Sequence, residues 1–340
     1  MLDHPLPATL HYVDDTQPGL TRRKWRGRFI YLDPEGQRVR DGETLARIAA
    51  LAIPPAYTDV WICLDPQGHL QATGRDARGR KQYRYHTQWR ELRDQHKFGR
   101  MLAFARALPK LRKHIDSHLA RPGLDREKII ALVVSLLDST LIRIGNPQYL
   151  HDNKSYGLTT LRNRHVTVEG STIRFQFRGK RGVEHDVTLR DRRLANLLKR
   201  CIELPGQTLF QYLDEQGQRR SIGSSDINQF LQQLTGADFT AKDYRTWAGS
   251  SLALSLLRPL AWEPESEAKR QVAAIVRQVA SRLGNTPAVC RRCYIHPAVL
   301  EHFHLGQLAA LPRSRNRQGL EPEEVALLLF LQALENSQAH

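Results

Sequence analysis

Long apolar runs are missing from this chain. The longest, "VALLLFLQAL" at 325–334, falls short of the roughly 18 residues a membrane-spanning helix requires. It follows "EPEE" and reads as a packed terminal helix, which leaves a membrane a poor partner. The opening residues lack the pattern of a signal peptide. Cysteine is scarce: Cys63, Cys201, Cys290 and Cys293 are too few and too scattered for a disulfide framework, and a reducing cytoplasm fits them. "CRRC" has the two-residue gap of a redox or zinc pair. No second such pair, and no His pair at matching spacing, completes a zinc site, so the thiols read as ordinary. Acidic residues are also short, with 35 Asp and Glu against 51 Lys and Arg, a formal net charge of +16. Such an excess asks for a polyanion, and nucleic acid is the default.

The 340 residues have room for about two domains, and 41% hydrophobic with 25% charged residues is ordinary for a globular core. Residues 1–20 lack periodicity and read as a loose arm. Short β-rich runs with the turn signals "DPEG" and "DPQG" follow, interrupted by the helical "DGETLARIAALAIPP" that a double proline stops. This predicts a small β-rich domain over 21–86, closing in the basic strip "GRDARGRKQYRYH", which reads as both linker and binding surface. From 87 to 340 the pattern is mainly helical. In "DREKIIALVVSLLDSTLIRIGN", Asp125 is placed as N-cap and Gly145 as the residue past the C-cap. "RHVTV", "STIRFQF" and "VEHDVTL" form a three-strand candidate, with Ile173, Phe175 and Phe177 alternating with Arg174, Gln176 and Arg178. The fold class is α+β.

Most arginines on such a chain are solvated surface charges. Arg143, in "LIRIGN", is set among Leu141, Ile142 and Ile144, where a guanidinium is costly unless an anion meets it. Thr240 and Asp243 have capping-box spacing in "TAKDYRTW", which puts Arg245 early on a helix. Lys180 stands between Gly179 and Gly182 at a hairpin tip, from which an ammonium can reach into a groove. Tyr294 closes "GNTPAVCRRCY", where nearby guanidinium groups together with Arg291 and Arg292 favour phenolate.

Taken together, "RIGN…YGLTTL", the hairpin "GK", "KDYRTW" and "GNTPAVCRRCYIHP" resemble, in order and spacing, the type IB DNA topoisomerases of the compact bacterial and poxvirus kind. "IPPAY…VWIC" and "GHLQATGRDARGRKQYRYH" extend the resemblance into the β-rich domain, so that it covers about residues 20 to 335. The resemblance implies a C-shaped clamp in which the small β-rich domain and the larger helical catalytic domain close around duplex DNA. It implies a monomer acting at the cytoplasmic nucleoid, with no cofactor, ATP or metal. Position by position, Tyr294 would be the nucleophile, Arg143 and Arg245 the phosphate-binding arginines, Lys180 the proton donor and Asn285 the fifth catalytic residue. DNA contacts would come from Arg75, Arg80, Lys81, Gln82, Tyr83, Tyr85 and Tyr149, with Arg181, Arg291 and Arg292 adding charge.

Two positions depart from the pattern. Asn285 stands where a histidine is better known; an amide donates a hydrogen bond but carries no proton. Cys293 stands where serine is expected. Tyrosine recombinases share the arginine–tyrosine chemistry but characteristically carry HxxR, where this chain has "KDYR" beginning at Lys242. A DNA-coating protein with decayed catalytic residues is a third reading, and every catalytic position here holds a competent side chain.

Overall fold

A computed structural model of the chain describes residues 9–77, 79–261, 265–308 and 319–338. The chain divides into two compact units, Met1–Lys97 and Phe98–His340.

The first unit is built on strands β1 (Gly19–Trp25), β2 (Arg28–Leu32), β3 (Thr58–Cys63), β4 (Leu70–Arg75) and β5 (Lys81–Tyr85), with helix α1 (Gly42–Ala50) between β2 and β3. The strands form one antiparallel sheet in the order β2-β1-β3-β4-β5. Asp41 starts α1 by accepting the Thr44 N–H at 2.7 Å, and Ile48 on its inner face packs with Leu20, Val60, Ile62 and Ala72. One expectation changes here. Residues 9–20 are not a loose arm: Leu10 is buried, His11 exchanges backbone hydrogen bonds with Gln67 and His69 at 2.9 and 2.8 Å, and β1 begins at Gly19. An extended segment docked on a turn has no periodicity of its own. The basic strip, expected to be both linker and binding surface, is in its second half β5, an edge strand of the sheet. Helix α2 (Thr87–Gly99) follows it.

The second unit is mainly helical: α3 (Met101–Ala120), α4 (Arg126–Thr140), α5 (Pro147–Asn153), α6 (Arg192–Glu203), α7 (Ser224–Thr235), α8 (Ala241–Leu257), α9 (Glu265–Arg282), α10 (Pro287–Cys293), α11 (Pro297–His304) and α12 (Pro322–Gln338). Between α5 and α6 lie β6 (Val166–Glu169), β7 (Thr172–Arg178) and β8 (Glu184–Arg190), an antiparallel sheet with Ile173 opposite Leu189 and Phe177 opposite His185. Ile173, Phe175 and Phe177 are buried and Arg174, Gln176 and Arg178 exposed, as the alternation predicts. Asp186 accepts from Arg174 Nε at 2.8 Å, which makes it a strand-face charge. A short hairpin, β9 (Gln211–Leu213) and β10 (Arg219–Ser221), stands in a region expected to be helical; its strands are too short to leave a period, and only "DEQG", with Gly217 at φ +72°, marks the turn.

Helix α4 runs through the core and is buried on nearly every side, with Ile129 to Val134, Leu136 and Leu137 at 1% exposure or less. Asp125 caps it as expected, accepting the Lys128 N–H at 2.8 Å. Its end is different: the helix stops at Thr140 and Leu141 takes the left-handed cap conformation at φ +58°. Gly145 is therefore not a helix terminator. It is a glycine because a Cβ there would run into the Thr160 side chain. Between α3, α4, α8 and α12, Arg112 bridges Asp138 and Glu324, and the buried Trp247 N–H donates to Glu324 at 2.9 Å. These charge-assisted bonds fix α8 in place.

Candidate active site

Four of the predicted catalytic side chains meet in the second unit, each delivered by a different local device. Arg143 follows the left-handed cap of α4, on an irregular segment whose backbone is held by the Leu158 N–H donating to the Arg143 carbonyl at 2.8 Å. Arg245 lies in the second turn of α8, which Thr240 and Asp243 start with the expected capping box; the Thr240 N–H donates to Asp243 at 2.8 Å. Asn285 sits in the turn between α9 and α10, where its N–H donates to the Ala280 carbonyl at 2.8 Å. Tyr294 is the residue that closes α10, its N–H donating to Cys290 at 2.9 Å.

The side chains are tied to one another. Arg143 Nη2 donates to the Asn285 side-chain oxygen, which leaves the Asn285 Nδ2, buried and with its hydrogens unpaired, as an open donor. Arg245 is only 4% exposed; its Nη1 donates to the Leu141 carbonyl and its Nη2 to the Leu283 carbonyl at 2.7 Å, while Nε is buried without a partner. The guanidinium carbon stands 5.1 Å from the centre of the Tyr294 ring. Burial, then the neighbouring Arg143, push Arg245 down to about 10, so it stays protonated at neutral pH. Burial alone would raise the Tyr294 phenol, but Arg245, Arg143 and Lys242 outweigh it and hold the group below its ordinary value.

That list of cations reorders one expectation and adds a residue. Arg291 and Arg292 are exposed on α10, and the charges that lower the phenol most are Arg245, Arg143 and Lys242. Lys242, exposed in the first turn of α8, served in the sequence only to separate "KDYR" from HxxR. Lys180 is exposed at the turn joining β7 to β8, in the short turn Lys180–Gly182, with Arg181 beside it at φ +65°.

Two further residues seat the nucleophile. A Cβ on Gly249 would lie 2.6 Å from the Tyr294 carbonyl oxygen, so α8 and the end of α10 touch backbone to backbone. Ser250 donates to the same carbonyl at 3.1 Å and accepts the His296 N–H at 2.9 Å. Glycine inside a helix costs about 0.5–1 kcal/mol relative to alanine, and "TWAGSSL" carried that signal of close approach.

The arrangement pairs a phenol of lowered pKa with two guanidinium groups and two unpaired buried N–H donors. A tetrahedral or pentacoordinate oxyanion beside Tyr294 would find its charge met there. A family model described as the eukaryotic DNA topoisomerase I catalytic core matches residues 86–316, and one described as the bacterial DNA topoisomerase IB N-terminal domain matches residues 28–76. The chain belongs to the type IB DNA topoisomerases. Among curated relatives, the DNA topoisomerase 1B of Acanthamoeba polyphaga mimivirus is 32% identical over 84% of this chain and 87% of its own length. The DNA topoisomerase 1 of rabbit fibroma virus is 27% identical over 74% and 79%, and the DNA topoisomerase 1B of vaccinia virus (strain Copenhagen) 26% over 67% and 70%.

In this topoisomerase the expected DNA contacts of the first unit lie along β4 and β5. Arg75 ends β4, donating to the Gly79 carbonyl at 2.9 Å and standing 3.5 Å from Asp59. Arg80 pairs with Asp76 at 2.6 Å, Lys81 with Asp15 at 2.5 Å, and Gln82 donates to Asp76 at 3.0 Å. The Tyr83 and Tyr85 rings stack on one face of β5, 6.1 Å apart and 11° from parallel, and Tyr83 is 47% exposed. The Tyr149 side chain lies outside the described residues. No helix among the described residues is long and apolar enough to cross a membrane. Cys63, Cys201 and Cys290 are buried thiols, Cys293 is partly exposed, and no disulfide links them.

Proposed function

We propose that the chain relaxes supercoiled duplex DNA by cutting one strand with Tyr294 and rejoining it. The Tyr294 oxygen attacks a backbone phosphorus, forming a 3′-phosphotyrosyl ester as the bond to the 5′ oxygen breaks; the phenol proton leaves to solvent. Arg143, Arg245 and Asn285 bind the non-bridging oxygens, and Lys180 gives its proton to the departing 5′ oxygen. Phenolate is a good leaving group, so the 5′ hydroxyl can attack the ester and reverse the step without ATP. Between the two steps the free end swivels and torsional strain is released. The observation that carries this reading is the pair of unpaired buried donors, Arg245 Nε and Asn285 Nδ2, beside a phenol whose pKa three cations lower.

In this reading the β4–β5 surface of the first unit grips phosphates, and the two units act as a C-shaped clamp of one monomer on the duplex in the cytoplasm. Binding that rests on phosphate contacts weakens steeply with salt. Incubation with supercoiled plasmid in EDTA and without ATP tests the reading. Relaxed topoisomers are expected. An unchanged plasmid would reject it, and strand exchange between specific sites would mark a recombinase instead.

A further inference from the structure

Strand β8 carries buried-face positions at His185, Val187 and Leu189, opposite Phe177, Phe175 and Ile173. An imidazole at the end of such an apolar stripe is more costly than a valine there would be. Its ring lies flat on the Phe177 ring, 4.8 Å between centres and 4° from parallel. One edge faces Gly179, whose added Cβ would fall 2.6 Å from His185 Cδ2 and Nε2. Another faces Gly284, whose added Cβ would be closer still to Cε1 and 3.1 Å from Nε2. The ring thus fills the gap between the residue before Lys180 and the residue before Asn285. Gly179 has φ −95° and ψ −164°, a conformation open to any residue, so contact with the ring, not backbone freedom, is what requires glycine there.

We propose that His185 is a positioning residue that braces the lysine hairpin against the Asn285 turn and so sets where Lys180 meets the leaving 5′ oxygen. This rests on the function proposed above. The two sides of the brace are unequally anchored. The Asn285 turn is held without it: Gly284 and Asn285 donate to Ser281 and Ala280 at 3.0 and 2.8 Å, and the Leu283 carbonyl accepts from Arg245. The backbone hydrogen bonds of Gly179 and Gly182 stay within the hairpin, to Val183 at 2.7 Å and Gly179 at 3.0 Å. From outside the hairpin the Tyr156 N–H donates to the Arg178 carbonyl at 2.8 Å, which ties the strand before Gly179; removing the ring therefore loosens the turn that follows it. Burial, and then Arg143 and Arg245, hold the imidazole below its ordinary pKa, so a neutral ring sits beside the guanidinium pair without adding to its charge.

The test is single-turnover cleavage of two duplexes, one with the natural 5′-oxygen leaving group and one with 5′-sulfur, which departs without a proton. Lys180→Ala is the reference, expected to be slowed about 100-fold or more on oxygen and little on sulfur. His185→Ala should follow the same split, slowed up to about 100-fold on oxygen and a few-fold on sulfur, as misplacement of a reacting group by about 1 Å allows. His185→Phe, which keeps a flat ring on Phe177, should recover most of the rate. Gly179→Ala should be slow with His185 present and add nothing to His185→Ala, which also serves if one of these variants folds poorly. Equal slowing of His185→Ala on both duplexes, an unslowed His185→Ala, or additive Gly179→Ala would overturn the brace. If Lys180→Ala itself slowed both duplexes alike, the acid role of Lys180 would fall first, and the brace with it.

Discussion

The β4–β5 surface of the first unit and the active site of the second hold their positive charge in different ways. Along β4 and β5 three cations face carboxylates, Arg75 Asp59, Arg80 Asp76 and Lys81 Asp15, while Arg84 donates to the Ala52 carbonyl. In the active site neutral acceptors, the Leu141 and Leu283 carbonyls, hold Arg245, and Arg143 donates to the Asn285 amide oxygen. A carbonyl fixes a guanidinium in space while leaving its formal charge for an incoming anion. A carboxylate fixes it and spends much of that charge. The first arrangement suits a group that must stabilise a transition state; the second suits a surface that exchanges ion pairs for phosphates and lets go again.

Breaking the first arrangement should have the larger effect. Arg245→Ala removes a preorganised donor set and should slow cleavage about 100- to 1,000-fold with DNA binding largely kept. Arg245→Lys should recover little, because one ammonium cannot reach both carbonyls and the phosphate. Wild-type rates measured with either variant would dissolve the contrast. The pH dependence of single-turnover cleavage sharpens it. The rate should rise as Tyr294 loses its proton, with a midpoint below the roughly 10 of a free phenol, and fall again as Arg245 loses its own at about 10. Arg143→Ala should shift the rising limb to higher pH, and an unshifted limb would remove Arg143 from the phenol's surroundings. The smallest effect belongs to the first unit. Asp15→Asn keeps an acceptor for Thr73 but frees Lys81, and should tighten DNA binding a few-fold while raising the salt slope by about one. Unchanged affinity would take Lys81 out of the binding surface.

Much of this was legible in the sequence where the signal was local. The capping oxygens of Asp125 and Thr240, the alternation in β7 and the burial of 325–328 each follow from a few neighbouring residues. Arg143, Arg245, Asn285 and Tyr294 were named from motifs, and the structure brings them together. What the sequence hid depends on contacts distant along the chain. Leu141 ends α4 in a left-handed turn that any residue with a Cβ adopts at a cost, and its carbonyl then receives Arg245 from more than a hundred residues away. Arg291 and Arg292, nearest Tyr294 in sequence, are exposed on α10; the arginines expected beside the phenol, Arg143 and Arg245, are there, and Lys242 is the cation the sequence did not point to. Gly249 could have been found from its cost in a helix; its partner, the Tyr294 carbonyl, could not.

The most direct measurement is mass spectrometry of protein–DNA adduct trapped by denaturation during plasmid relaxation. The peptide that contains Tyr294 should carry a nucleotide through its 3′ phosphate, and Tyr294→Phe should bind DNA and yield no such peptide. A nucleotide on another residue, a 5′ linkage, or an adduct surviving in Tyr294→Phe would contradict the account.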